Sequence, residues 1–111
     1  MNNMAQKYAN QVQPRIKVHQ KRHADFCKRN HILKLSFFGS VLSDSFTPQS
    51  DIDVLVVFDP AYIPGFSLIR MEAELSEILG GRKIDLVTPK FLNRLIRPQV
   101  EAEAMVQYTQ D

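Results

Sequence analysis

Asp51 and Asp53, two acids one residue apart, open the most apolar run of the chain, Val54 to Phe58. Side chains alternate along a strand, so these carboxylates point the same way, about 7 Å apart, while Ile52 and Val54 point into the opposite layer. Like charges at that spacing, at the mouth of an apolar run, are unfavourable unless a cation or hydrogen-bond donors offset them. A hard divalent ion such as Mg²⁺ suits carboxylate oxygens and keeps water and substrate phosphates as its other ligands. Asp85 lies in a second apolar segment, Lys83 to Val87, and joins the pair if that strand neighbours the first. Three such acids could hold two metal ions, a clamp that activates an attacking oxygen and stabilises a leaving pyrophosphate.

Upstream stands Gly39-Ser40. A glycine directly after a strand lets backbone N–H groups approach phosphate oxygens, and the serine hydroxyl adds a donor. The dipeptide alone carries no weight. Followed after ten residues by Asp51-Ile52-Asp53 at the head of an apolar strand, it becomes a candidate phosphate seat beside a candidate cation site. A calcium-loop reading of the same acids fails, because with Asp51 at position one the sixth residue is Val56, not Gly, and the twelfth is Tyr62, not Glu. Asp44 and Asp59 read as turn residues. His19 and His23, four apart on one helix face, lack a third ligand or a neighbouring Glu and read as a packed or partner-facing pair.

The elements that must position these groups follow from periodicity. Pro14 suits a first helical turn, and Ile16, His19, His23, Phe26 and Cys27 recur at helical spacing up to a stop near Asn30-His31. Leu33 to Phe38 reads as a strand ended by Gly39, Ser40 to Ser50 as a loop with one helical turn, and Asp51 to Phe58 as a central strand. Phe66 to Leu79 carries an apolar helical stripe beside Glu72, Glu74 and Glu77, and Gly80-Gly81 stops it. Lys83 to Val87 is a third short strand. Thr88 as N-cap and Pro89 as first residue predict a helix through Phe91, Leu92, Leu95 and Ile96, interrupted by Pro98. A last helix is predicted over Gln99 to Tyr108, with Val100, Ala104, Met105 and Tyr108 on its buried or partner-facing side. The order predicts a mixed α/β domain, a small sheet covered by helices.

Composition agrees with that scale. The chain has 111 residues, 44% hydrophobic and 23% charged, which fits one domain over 1–111 with a flexible N-terminal segment at 1–12. The longest apolar run is five residues against the ~20 of a membrane-spanning helix, and the opening residues lack an apolar signal region, so a soluble cytoplasmic protein is expected. The lone Cys27 excludes an intrachain disulfide and reads as a buried apolar residue. Net charge is +2, but residues 1–35 carry eight Lys/Arg against one Asp, while the remaining 76 carry six against eleven Asp/Glu. The basic front attracts phosphate groups in principle, yet its aromatics are only Tyr8 and Phe26, and direct nucleic-acid binding is not expected.

The run from Gly39 through Ser43-Asp44 and Asp51-Ile52-Asp53 to Val56 resembles the signature of the DNA polymerase β-like nucleotidyltransferase superfamily in its minimal form. Lys83-Ile84-Asp85-Leu86-Val87-Thr88-Pro89 looks like that group's third-carboxylate strand. The resemblance implies an α/β (α+β) fold, a small mixed β-sheet flanked by helices, with Mg²⁺ or Mn²⁺ at Asp51, Asp53 and Asp85. It implies ATP as substrate, its phosphates on Gly39 and Ser40. It further implies the antitoxin of a HEPN/minimal-nucleotidyltransferase pair, moving AMP onto a tyrosine of a HEPN-domain toxin, and a homo- or hetero-oligomeric assembly. Many relatives carry Arg-Gly where this chain has Ser43-Asp44, and the alternative that this implies is a weak or inactive antitoxin that neutralises its partner by binding alone.

Overall fold

A computed structural model describes residues 16–110. The expected flexible segment at 1–12, and Pro14 as a helix start, lie outside those residues. The first helix of the described residues, α1, is Gln20–Arg29. It begins later than its apolar spacing predicts, because His19 leaves the helix and caps it: its Nδ1 accepts from the Arg22 N–H at 3.4 Å. Lys28 and Arg29 lie in the last turn, where the helix dipole favours cations. Asn30 then donates through Nδ2 to the Phe26 carbonyl at 2.8 Å, and His31 reverses the chain at φ 61°. The predicted stop at Asn30-His31 is where the helix ends.

Strands β1 (Ile32–Phe38) and β2 (Ile52–Phe58) pair antiparallel, helix α2 (Ser67–Ile78) crosses over, and β3 (Ile84–Val87) returns parallel to β2. The loop between β1 and β2 opens with a 3₁₀ turn at Gly39–Leu42, the single helical turn anticipated there. One face of the sheet is closed by α1 and α2. Phe26 and Cys27 of α1 and Met71 and Leu75 of α2 form a continuous core with Leu35, Phe37, Ile52, Val54, Val56, Ile84 and Leu86. Each fully buried apolar side chain of this size contributes about 1.5–3 kcal/mol.

The C-terminal third departs from expectation. Between Thr88 and Ile96 there is only a 3₁₀ turn, Pro89–Phe91; Thr88 makes no side-chain cap bond, and Phe91 and Leu95 stand largely exposed. With no core surface to receive its apolar stripe, this short segment cannot recover the cost of helix nucleation. Pro98 does not interrupt a helix. It is the second residue of α3 (Arg97–Glu103), where the missing N–H costs nothing. The predicted helix over Gln99 to Tyr108 ends at Glu103, and Met105–Thr109 is a strand, β4, antiparallel to β1. The open edge of β1 explains the switch: its unpaired backbone groups need partners, which local helical periodicity cannot reveal. The sheet order is β3-β2-β1-β4.

Central β1 therefore carries hydrogen-bonded neighbours on both sides. Its Phe37 is fully buried, so Phe37→Ala is expected to cost about 3–5 kcal/mol in urea unfolding, much of the stability of a domain this size. A loss under 1 kcal/mol would contradict the packing described.

Candidate active site

Sheet register decides what the three acids can do. Asp53 pairs directly with Asp85 across the parallel β2–β3 ladder, and with Phe38 across β1. Residues directly opposite one another share a face, so Asp53 and Asp85 stand side by side on the face away from α1 and α2, the condition the sequence left open for Asp85. Asp51 precedes β2 by one residue, two positions before Asp53, and its side chain is 43% exposed. Asp53 is half-buried and Asp85 exposed.

Burial chiefly, then the negative charges of Asp85 and Asp51, push the Asp53 carboxyl above the ordinary carboxylate range. Asp51 has one compensating contact, Lys83 Nζ at 3.8 Å from its Oδ2, but Lys83 is 78% exposed and the pair is weak by solvent screening. In the rotamers present, no three His, Cys, Asp or Glu side chains among the described residues stand close enough to hold a metal ion. The chemistry of the donor set nevertheless fits a hard divalent cation. It is all carboxylate oxygen, Asp53 and Asp85 share one face, and burial first, then the charges of Asp85 and Asp51, hold the Asp53 carboxyl above the ordinary carboxylate range.

Gly39 closes the site from the side of β1. Its φ is +77°, a region L side chains rarely adopt, and a Cβ built there would collide with Asp53 Oδ2 and lie 3.3 Å from its Cγ. Glycine is therefore required twice, for backbone and for space. Ser40 follows, half-buried, in the 3₁₀ turn, and its carbonyl accepts from the Ser43 N–H at 2.9 Å and Ser43 Oγ at 3.1 Å. Gly39, Ser40 and the three acids thus lie along one end of the sheet.

Two supporting residues escaped sequence reading. Glu72 of α2, read as exposed, is half-buried, and its Oε2 accepts from the Leu86 N–H at 2.9 Å, satisfying a backbone donor of edge strand β3 next to Asp85. Arg82 holds the long loop: its guanidinium lies 4.4 Å from the Phe46 ring centroid, and Nη1 donates to the Thr47 carbonyl at 2.9 Å. An acid three residues into the helical stripe that faces a strand edge was the only available signal for Glu72. No sequence signal brings Arg82 to Phe46. Elsewhere, Asp59 is a turn residue as expected, its Oδ1 accepting from Ala61 N–H at 2.9 Å. His23 is buried beside Phe37, and burial lowers its pKa. Burial also pushes the Cys27 thiol up to about 12, so it stays protonated and unreactive.

Residues 20–108 match the nucleotidyltransferase domain family. A curated relative from Methanocaldococcus jannaschii, "Putative protein adenylyltransferase MJ1379", is 32% identical over 90 residues, 79% of this chain and 90% of its own. Among solved structures, a toxin-antitoxin crystallised with AMP-PNP superposes with a TM-score of 0.67 at 16% identity, covering 85% of this chain and 76% of that one. A structure described as a minimal nucleotidyltransferase gives 0.64 at 24% identity, covering 94% and 95%. The chain belongs to the nucleotidyltransferase domain family and has its polymerase β-like fold, with a four-stranded mixed sheet and three α-helices among the described residues, as the resemblance of Gly39-Ser40 and Asp51-Ile52-Asp53 implied. Among the described residues no helix is long and apolar enough to cross a membrane.

Ionising Asp53 costs more in the folded than in the unfolded chain, so its contribution removes stability as pH rises from the ordinary aspartate range through its raised native value. Asp53→Asn should then raise Tm at pH 7, by an increment that fades towards pH 3. Thermal melts across pH read this, and an unchanged or lower Tm would show that Asp53 carries no electrostatic strain. Gly39→Ala should lower stability by about 1–3 kcal/mol and displace the Asp53 carboxylate.

Proposed function

We propose that this protein transfers AMP from ATP to a hydroxyl of a partner protein, a tyrosine of a HEPN-domain toxin, and so acts as its antitoxin. The observation that carries the reading is the face-sharing pair Asp53–Asp85, with Asp51 two residues away and Gly39 pressed against Asp53. The family membership supports nucleotidyl transfer, and the adenylyltransferase name of the curated relative supports AMP as the unit moved. The toxin-antitoxin assignment of a structural neighbour supports a toxin as acceptor.

In this reading Asp51 and Asp53 would hold Mg²⁺ or Mn²⁺ with Asp85 completing the set, and the ion would supply positive charge to offset that of the phosphates. Gly39 and Ser40 seat the β- and γ-phosphates through backbone N–H groups and the serine hydroxyl. Asp85, the most exposed of the three acids, faces the acceptor and takes its proton. The hydroxyl oxygen forms a bond to the α-phosphorus as the bond to the pyrophosphate oxygen breaks, and pyrophosphate leaves. The acidic sheet end suits a reaction in which every charge brought by the substrate is negative and only cations can mediate the approach.

Ser43-Asp44 favours a second reading, neutralisation by binding alone. An acid at Asp44 brings no cation to the phosphate side of the loop.

Intact-mass spectrometry of the protein, a HEPN-domain toxin, ATP and Mg²⁺ separates the two. The expected result is a gain of about 329 Da per adenylyl unit on the toxin, absent with Asp51→Asn, Asp53→Asn. Unmodified toxin that still co-elutes with this chain would transfer the weight to occlusion.

A further inference from the structure

A cavity of about 910 Å³ opens at Gly39, between the 3₁₀ turn after β1 and the α3–β4 segment. It shares Gly39 with the candidate active site, the residue that abuts Asp53, and continues past Ser43. Its walls are apolar: Phe38 and Leu42 on one side, Val100 and Met105 on the other. Helix α3 buries none of its side chains, so Val100 packs into no core and faces this space instead. Two polar groups, Gln99 and Glu103, stand one helical turn apart on the same wall, linked by a stretched contact of 3.5 Å from Gln99 Nε2 to Glu103 Oε2. Apolar walls with a few placed polar groups, at a volume within the ~300–1,000 Å³ of small-ligand sites, describe a binding pocket rather than a packing defect.

We infer that this cavity binds the nucleoside end of the triphosphate and that Gln99 and Glu103 read an adenine base. The inference rests on the nucleotidyltransferase reading and deepens it. A triphosphate seated at Gly39-Ser40 with its α-phosphorus at Asp53 must place its sugar and base in an adjoining space, and the cavity meets the site at Gly39. A planar base slides between Phe38 and the aliphatic side chains of α3 and β4, removing apolar surface from water on both faces. Adenine presents an amino donor beside ring-nitrogen acceptors. The Gln99–Glu103 pair presents the complement, a carboxylate to accept from the amino group and an amide N–H to donate to the ring. The long Gln99–Glu103 contact gives up little when a base takes its place. A guanine would set its carbonyl oxygen where the carboxylate expects a donor, leaving two acceptors facing each other.

Titration calorimetry with the full chain and Mg²⁺ tests this, comparing ATP, GTP and inorganic tripolyphosphate. Gln99 and Glu103 are exposed helix residues, so Gln99→Ala, Glu103→Ala should fold normally. The expected result is a loss of about tenfold or more in ATP affinity, no change for tripolyphosphate, and disappearance of the preference for ATP over GTP. Val100→Trp, which fills the cavity, should weaken ATP and spare tripolyphosphate in the same way. ATP affinity within twofold of wild type in both variants would overturn the pocket assignment and leave the nucleotidyltransferase reading standing. Equal losses for ATP and tripolyphosphate would also overturn it, by showing that the changes disturb the phosphate seat. A wild-type chain that binds neither ATP nor tripolyphosphate overturns both readings.

Discussion

Burial of the Asp53 carboxyl beside two further acids at one end of the sheet is the constraint around which this molecule is arranged. Asp53 is the focus: half-buried, directly opposite Asp85 in the ladder, two residues from Asp51, and held from the side by a glycine that leaves no room for a methyl group. Left alone, such a group protonates or moves. It is kept in place by the two central strands, whose buried residues Leu35, Phe37, Val54 and Val56 belong to the main core. The hydrophobic side of the sheet thus stabilises a geometry that its polar side disfavours. That division suits a donor set of the kind that would hold a divalent cation.

Lesser contacts make sense as supports for that arrangement. Strand β3 has only four residues and a free edge, yet it must keep Asp85 opposite Asp53; Glu72 satisfies its Leu86 N–H, and the Ile52 N–H donates to the Lys83 carbonyl at 2.9 Å. The loop from Ser43 to Ser50 must span from the 3₁₀ turn at Gly39–Leu42 to Asp51, and Arg82 pins it at Phe46 and Thr47. On the far side, β4 closes the edge of β1 and carries α3 with it, so one C-terminal strand both completes the sheet and builds a wall of the cavity next to Gly39.

Much of this was legible in the residues. The candidacy of Asp51 and Asp53 was legible from their spacing at the head of an apolar strand, and Gly39 from its place directly after one, whereas the positive φ of Gly39 and its contact with Asp53 appear only in the fold. Asp85 needed one further fact, the adjacency of β2 and β3, which the crossover helix between them makes natural but which periodicity alone does not state. The C-terminal third was misread for the same physical reason. Met105 to Thr109 fits a helix stripe nearly as well as a strand, and only the unpaired edge of β1, some 70 residues earlier, decides between them. Glu72 and Arg82 act through contacts across the fold, where spacing along the chain is silent.

The claim on which the rest depends is that the three acids form one cation site. Its most direct test is a crystal of the wild-type chain grown with Mn²⁺ and a non-hydrolysable ATP analogue, with anomalous scattering used to locate manganese. The account predicts a peak bonded to Asp51 and Asp53 that vanishes in Asp53→Asn. Bound analogue with no anomalous peak at these carboxylates, or manganese held elsewhere on the chain, would contradict it.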